Sequence, residues 1–161
     1  CLNGSCNFAI SELNLPVSDA TRGVDRDELY MASSILSVMT DPSHPVMAGM
    51  PAHAKFFVGR SPVFTTAEGF EGSVLAKYPE SGPLLLSGYL VGEEHLQGYA
   101  VALDVHHGRG HVVLLGFRPQ WRGQPFGTFR VLFNAALYHG GVAAAARGTP
   151  GFWSPPGETE K

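Results

Sequence analysis

The loop between residues 118 and 124 holds the side chains of this chain that are best suited to chemistry. They are Arg118, Gln120, Trp121, Arg122 and Gln124. Two guanidinium groups beside a helix start predict a site for a phosphate or a carboxylate. Tryptophan and arginine are also enriched at the centres of protein interfaces, so the same loop predicts a docking surface. We favour docking, with Arg118 held by a buried carboxylate or by backbone carbonyl groups.

A second group of candidate residues surrounds a glycine-rich turn. His106 and His107 precede this turn, and His111 follows it. In a hairpin, His106 and His111 would face one another and hold a metal ion with a third ligand, for which Asp104 is the available carboxylate. Exposed or hydrogen-bonded histidines explain the same pattern, and we favour that interpretation.

The remaining reactive side chains favour structural roles. Glu93 and Glu94 begin a helical turn, where acidic side chains stabilise the positive end, and this accounts for them without an acid–base pair with His95. Cys6 has apolar neighbours and no histidine at a recognisable spacing. This environment predicts a half-buried thiol and not a nucleophile.

The 118–124 loop stands between a predicted strand and a predicted helix. Residues 111–117 form an apolar run rich in valine and leucine, which is typical of a strand buried on both faces. From Pro125 onward, apolar residues at spacings of three and four predict a helix with one buried face. They are Phe126, Phe129, Phe133, Ala136 and Leu137. A strand, a loop and a helix in this order predict the crossover unit of an α/β sheet, which binds ligands at the carboxyl end of the strand.

The rest of the chain predicts one α/β domain with a mixed sheet and flanking helices. Residues 99–105 pair with 111–117 through a turn at 107–110, which predicts a hairpin. Other strands are predicted at 35–39, 56–58, 62–64 and 74–78, and a first helix near Ser5 with Phe8, Ala9, Ile10 and Leu13 on its apolar face. Residues 1–140 then form the domain and 141–161 a flexible tail.

Composition restricts the possible partners. The 161 residues carry a net charge of −3 with both signs mixed, which gives no electrostatic signature for nucleic-acid binding. The apolar runs are far shorter than a membrane span, and two cysteines do not fix the redox compartment. Because Cys1 leads straight into a helix signal, we expect the C-terminal piece of a longer protein, with its earlier strands missing. The oligomeric state stays open.

Residues 3–17 and 117–120 resemble class I glutamine amidotransferase-like domains. In that family a strand leads to a nucleophilic cysteine on a tight elbow before a helix, and here this position falls near Asn3. The family also carries Phe-His-Pro-Glu, where this chain has Phe-Arg-Pro-Gln at 117–120. Arg118 thus replaces the catalytic histidine, and Gln120 replaces the glutamate that orients it. Since a guanidinium stays protonated, it cannot act as a general base, and the resemblance implies a flavodoxin-like domain without its triad.

Four phrases at 44–51, 56–64, 86–94 and 116–134 occur in an order that resembles another region. It is the C-terminal accessory domain of large bacterial zinc carboxypeptidases of the carboxypeptidase A-like family. The resemblance covers about residues 1–139 and implies a parent enzyme that cleaves C-terminal peptide bonds with a zinc-bound water. No histidine of this chain has glutamate three residues later, as the family's zinc motif requires. The resemblance therefore implies that the zinc belongs to a catalytic domain upstream of Cys1 and that this fragment holds no cofactor.

Together these observations predict a non-catalytic accessory domain that docks on the upstream catalytic domain. Trp121 would pack there, and Arg118, Gln120 and Arg122 would anchor it. The competing hypothesis is a stand-alone binding module with an anion or small-ligand pocket in the 118–124 loop, and a hydrolase that uses Cys6 or a histidine cluster is the third. A concave, arginine-lined cavity at the end of the strand would favour the binding module, and a flat apolar face with Trp121 exposed would favour docking. Because such carboxypeptidases are often exported, the resemblance implies a periplasmic or secreted parent.

Overall fold

A computed structural model describes residues 1–138 and 148–157 of the chain. The strands in these ranges are β1 (Val17–Asp19), β2 (Tyr30–Met31), β3 (Ser34–Thr40), β4 (His53–Val58), β5 (Phe64–Thr66), β6 (Gly72–Lys77), β7 (Leu85–Ser87), β8 (Leu90–Val91), β9 (Ala100–His107) and β10 (Gly110–Leu115). The helices are α1 (Ser5–Glu12) and α2 (Phe126–Leu137), and 3-10 turns lie at Pro45–Met47, Glu93–His95 and Trp121–Gly123. The predicted strands and both predicted helices therefore exist, with shifted ends.

The main sheet has eight strands and is antiparallel. Its order is β1-β5-β9-β6-β3-β4, and β10 and β7 pair with β9 and β3 respectively. The long strands β9 and β3 each pair with three neighbours. Register shifts in their ladders with β6 and β7 bend the strands, and the sheet curls. Strands β2 and β8 form a separate two-stranded ribbon. The α/β class is therefore as expected, but the predicted mixed sheet is wrong, because the described strand pairs are antiparallel.

The predicted crossover unit is wrong in its strand pairing. Strand β10 is joined to β9 by the two-residue turn Gly108–Arg109, so the two run antiparallel. This confirms the predicted hairpin, and within the described ranges no strand follows α2 to complete a crossover. Strand β10 is half-buried at positions 111–113 and not enclosed on both faces along its length. Parallel pairing is described only at the bridge between Leu2 and Leu115.

Two groups of buried side chains form the core. The larger contains Leu36, Phe56, Tyr78, Phe117 and Val131, among others. In it, the rings of Phe56 and Phe117 stack with 4.0 Å between their centroids. The smaller joins α1 to β9 and β10 through Cys6, Ala9, Leu103 and Leu114. The chain leaves β10 at Gly116, where a Cβ would lie 2.5 Å from the Pro62 carbonyl oxygen, so a side chain does not fit there.

Helix α2 buries a different face from the one that its apolar stripe predicts. Thr128 and Val131 are buried. In contrast, Phe126, Phe133 and Leu137 are 74%, 61% and 75% exposed. The periodicity predicted the helix correctly but assigned its buried face wrongly. Helix α1 shows a similar difference. Ala9 is buried as predicted, but Phe8, and Leu13 just after the helix, are exposed, and Cys6 is buried instead.

Polar side chains on the inner face of α2 fix its rotation. Thr128 Oγ1 donates a hydrogen bond of 2.9 Å to the Pro119 carbonyl oxygen. Asn134 Nδ2 donates to the carbonyl oxygens of Val46 and Ala48, at 3.1 Å each. These contacts hold the face of α2 that carries Thr128 and Asn134 against the loops at Pro119 and Val46–Ala48.

Part of the segment predicted as a flexible tail contacts the sheet. Thr149 Oγ1 donates to Asp41 Oδ1 at 2.9 Å, and Trp153 Nε1 donates to the Gly98 carbonyl oxygen at 2.7 Å. Residues 139–147 and 158–161, which include the rest of the predicted tail, lie outside the described residues. Neither helix in the described part of the chain has the length and hydropathy needed to cross a bilayer.

Candidate functional site

Asn3 lies on a tight elbow between the sheet and α1. Leu2 forms the parallel bridge with Leu115, and Asn3 then adopts φ +48° two residues before the helix. Left-handed backbone costs most L-residues roughly 1–2 kcal/mol, and asparagine is among the few residues that visit it. The side chain at this turn is half-buried.

The side chain of Asn3 contacts Ser61 and Arg118. Its amide lies 2.6 Å from Ser61 Oγ. When the amide nitrogen is oriented toward Ser61, the amide oxygen accepts a hydrogen bond from Arg118 Nη2 at 3.3 Å. The structure thus brings Asn3 and Arg118 together. The part played by Ser61 carried no recognisable signal in the sequence.

Arg118 is anchored within the chain. Its Nε and Nη2 atoms donate to the Gly59 carbonyl oxygen at 3.3 and 3.2 Å. Its Cζ lies 4.3 Å from the centroid of the Trp121 ring, and Phe57 stacks on that ring with 6.4 Å between the centroids. The expectation that backbone carbonyl groups hold Arg118 is confirmed, and Trp121 is half-buried.

The other residues of the loop are exposed. Gln120, Arg122 and Gln124 project into solvent, and Arg122 Cζ lies 5.4 Å from the Trp121 ring centroid. A shallow depression of about 360 Å³ opens beside Arg118, lined by Tyr30, Met31, Ala32, Ser33, Gly59, Arg60 and Trp121. The loop therefore has an arginine-lined depression on one side and leads into the exposed apolar face of α2 on the other.

The β9–β10 hairpin brings Asp104, His106 and His111 to one face of the sheet. His106 and His111 are cross-strand partners, as predicted, and their ring centroids are 4.5 Å apart. His111 Nδ1 lies 3.0 Å from both carboxylate oxygens of Asp104. One ligand atom from each residue lies within 4.8 Å of the others.

Asp104 is a buried carboxylate that also binds two residues from distant parts of the chain. Tyr138 Oη donates to Asp104 Oδ2 at 2.8 Å, and His44 Nε2 lies 3.4 Å from the same oxygen. Because His44 Nδ1 accepts a hydrogen bond from the Val46 N–H, the proton of the neutral ring is assigned to Nε2, facing Asp104. Sequence spacing gave no signal for His44 or Tyr138, since each comes from a separate element.

The hydrogen bonds around Asp104 keep it ionised. Burial alone would raise the pKa of this carboxyl, but the hydrogen bonds from His44 and Tyr138, together with nearby His111, hold the pKa below its usual value of 3.8. A cavity of about 470 Å³ opens beside His111 and Tyr138, and Cys1, Leu132 and Ala135 are among its lining residues. The buried carboxylate of Asp104 therefore lies next to the imidazole of His111, and His111 lines the cavity.

Cys6 is more enclosed than the sequence indicated. It is fully buried, and its Sγ lies 3.6 Å from the Leu115 carbonyl oxygen. Burial raises the pKa of the Cys6 thiol to about 11, so the thiol is protonated at neutral pH. Since the thiolate is the nucleophilic form, this position does not support a cysteine hydrolase. Glu93 has a structural contact, because its carboxylate accepts a hydrogen bond from the Leu84 N–H at 3.0 Å.

Comparisons of this chain with protein-family models, with curated proteins and with solved structures found no match.

Proposed function

We propose that this chain is a non-catalytic accessory domain that docks on the catalytic domain of a zinc carboxypeptidase-like protein. We further propose that its fold is a variant of the glutamine amidotransferase-like, flavodoxin-like arrangement. The observation that carries the proposal is the contact between Asn3 and Arg118. In this contact the elbow residue meets the side chain at the proposed base position. Glutamine amidotransferase-like enzymes need a nucleophile and a general base at these two positions, and neither Asn3 nor Arg118 can take that role.

The chemistry of the elbow argues against catalysis. The Asn3 amide is not a nucleophile of the kind that forms acyl intermediates, and the Arg118 guanidinium cannot accept a proton. Both side chains are already engaged, Asn3 with Ser61 and Arg118 with the Gly59 carbonyl oxygen. The elbow therefore stabilises the junction between the sheet and α1.

The exposed apolar side chains of α2 support docking. We call Phe126, Phe133 and Leu137 the outer face of α2. Burying an apolar side chain of this size stabilises a contact by about 1.5–3 kcal/mol relative to full exposure, and contiguous exposed apolar groups mark interaction sites. Gln120 and Arg122 are exposed in the preceding loop. They are suited to the polar rim that surrounds the apolar centre of an interface.

The depression beside Arg118 favours the second candidate, an anion-binding module. Arg60 and Arg118 both line it, and a carboxylate or phosphate there would receive charge-assisted hydrogen bonds. Titrating the isolated chain with inorganic phosphate and with acetate tests this candidate. Saturable binding that Arg60→Ala abolishes would favour the binding module over docking.

The docking proposal is tested on the protein extended upstream of Cys1. Its reading frame should encode His-x-x-Glu and a second histidine about a hundred residues later, as the resemblance implies. The upstream domain, produced separately, should bind this chain, and the double change Phe126→Ser and Phe133→Ser should weaken binding at least tenfold. Phe8→Ser is the matched control, because Phe8 is 70% exposed on the other helix. An upstream sequence without the motif, or equal binding by the double variant and the control, would contradict the proposal.

A further inference from the structure

We propose that Asp104, His106 and His111 form a binding site for a divalent transition-metal ion, of which zinc suits the donor set best. The inference is independent of docking, because it depends on the β9–β10 hairpin and not on α2 or the 118–124 loop. Two imidazole nitrogens and one carboxylate oxygen are ligands that zinc accepts in tetrahedral sites.

The backbone places the three ligands together. Asp104 and His106 are two residues apart on β9, so both side chains project from the same face. His111 on β10 is the direct partner of His106, and diagonal neighbours on one face are also within reach of each other. The site therefore needs only the register of the hairpin.

The distances are close to those that a metal ion requires. With zinc–nitrogen and zinc–oxygen bonds of about 2.0–2.2 Å, two ligand atoms in a tetrahedral site lie roughly 3.3 Å apart. His111 Nδ1 is 3.0 Å from Asp104 Oδ1, so these two atoms need little movement. The third ligand atom belongs to His106, which is exposed. The full set lies within 4.8 Å, and rotation of this exposed ring shortens the remaining separation.

The surroundings of Asp104 fit a metal-binding carboxylate. Ligands in metal sites are themselves oriented by hydrogen bonds from neighbouring groups. Tyr138 Oη and His44 Nε2 both approach Asp104 Oδ2, whereas His111 Nδ1 lies 3.0 Å from both carboxylate oxygens. Within the described ranges, the basic groups close to this buried carboxylate are the two histidines. Asp104 is already hydrogen-bonded by these groups, and a divalent cation would add a full opposite charge beside the buried carboxylate.

Three protein ligands leave a fourth tetrahedral position open. Open positions of this kind hold water or a small anionic ligand. The cavity of about 470 Å³ beside His111 and Tyr138 provides space for such a ligand.

The test measures metal binding by the whole chain, carrying Cys1→Ser so that the exposed terminal thiol cannot bind the ion. Isothermal titration of the metal-free protein with zinc chloride at pH 7.5 should show one ion per chain, and the melting temperature should rise. Cobalt(II) should give the intense visible absorption of a tetrahedral site. His106→Ala and His111→Ala should each weaken binding at least tenfold, whereas His107→Ala should not, since His107 is exposed on the same hairpin outside the cluster.

The variant at the exposed position 106 keeps the test meaningful if changes at Asp104 or His111 unfold the protein. Circular dichroism establishes that each variant is folded. No saturable zinc uptake by the folded chain would overturn the proposal. Uptake that is equal with and without His106, or that is lost with His107→Ala alone, would also overturn it.

Discussion

Replacing Val131 and Phe133 one at a time tests how α2 is oriented. Val131 is 0% exposed, and Phe133 is 61% exposed. Val131→Ala removes two buried methyl groups at about 0.8 kcal/mol each. The cavity left behind adds to this loss, so the free energy of unfolding should fall by about 2 kcal/mol. Phe133→Ala removes far more apolar surface, but most of it is already in water, so the change should stay within about 0.5 kcal/mol.

Urea unfolding followed by circular dichroism measures both values. The midpoint should fall clearly for Val131→Ala and little for Phe133→Ala, with the slope unchanged, because a changed slope indicates a change in the surface exposed on unfolding. The apolar stripe in the sequence predicts the opposite order. If Phe133→Ala destabilises the isolated chain more than Val131→Ala does, α2 packs through its phenylalanines and the proposed outer face is wrong.

Three further predictions concern the elbow, the thiols and the buried carboxylate. Asn3→Ala should lower the free energy of unfolding by about 1–2 kcal/mol, because alanine disfavours φ +48°. Asn3→Gly should lower it less, and equal losses for the two variants in urea unfolding would contradict a strained elbow. With a thiol reagent at pH 8, Cys1 should react in the native protein, whereas the buried Cys6 should react only after unfolding. Fast labelling of both thiols in the native protein would show that Cys6 is not buried. Tyr138→Phe should cost about 1.5–3 kcal/mol at pH 7, since it removes a hydrogen bond to a charged group. Because the pKa of Asp104 is lowered in the folded state, this stabilisation is present above pH 3.8 and is lost as the pH falls through the folded-state pKa. If Tyr138→Phe lowers the free energy of unfolding equally at every pH, Asp104 is not the partner of Tyr138.

Local patterns in the sequence predicted most of the secondary structure. The apolar run at 111–117 and the turn at 107–110 were enough to predict the hairpin and the facing positions of His106 and His111. Hydrophobic periodicity also predicted both helices. These features depend on interactions between residues that are near in sequence, or on the register that a two-residue turn imposes.

Long-range packing explains what the sequence did not predict. The strand–loop–helix order at 111–137 is compatible with a crossover in a parallel sheet, and only the pairing of β10 with β9 shows that the sheet is antiparallel there. On α2, the buried face carries Thr128 and Val131, and Asn134 binds the carbonyl oxygens of Val46 and Ala48; hydrophobic periodicity does not report such polar contacts. Of the candidate site, Asp104 and the two hairpin histidines could be proposed from spacing, whereas His44 and Tyr138 become neighbours only in the folded chain.

Hydroxyl-radical footprinting tests the docking claim most directly. The measurement compares oxidation of Phe126 and Phe133 in the isolated chain and in the protein extended upstream of Cys1, with exposed Phe8 as the internal reference. The docking account predicts that both α2 residues are oxidised readily in the isolated chain and protected severalfold in the extended protein, while Phe8 reacts equally in both. Equal oxidation of the α2 residues in the two proteins would contradict it.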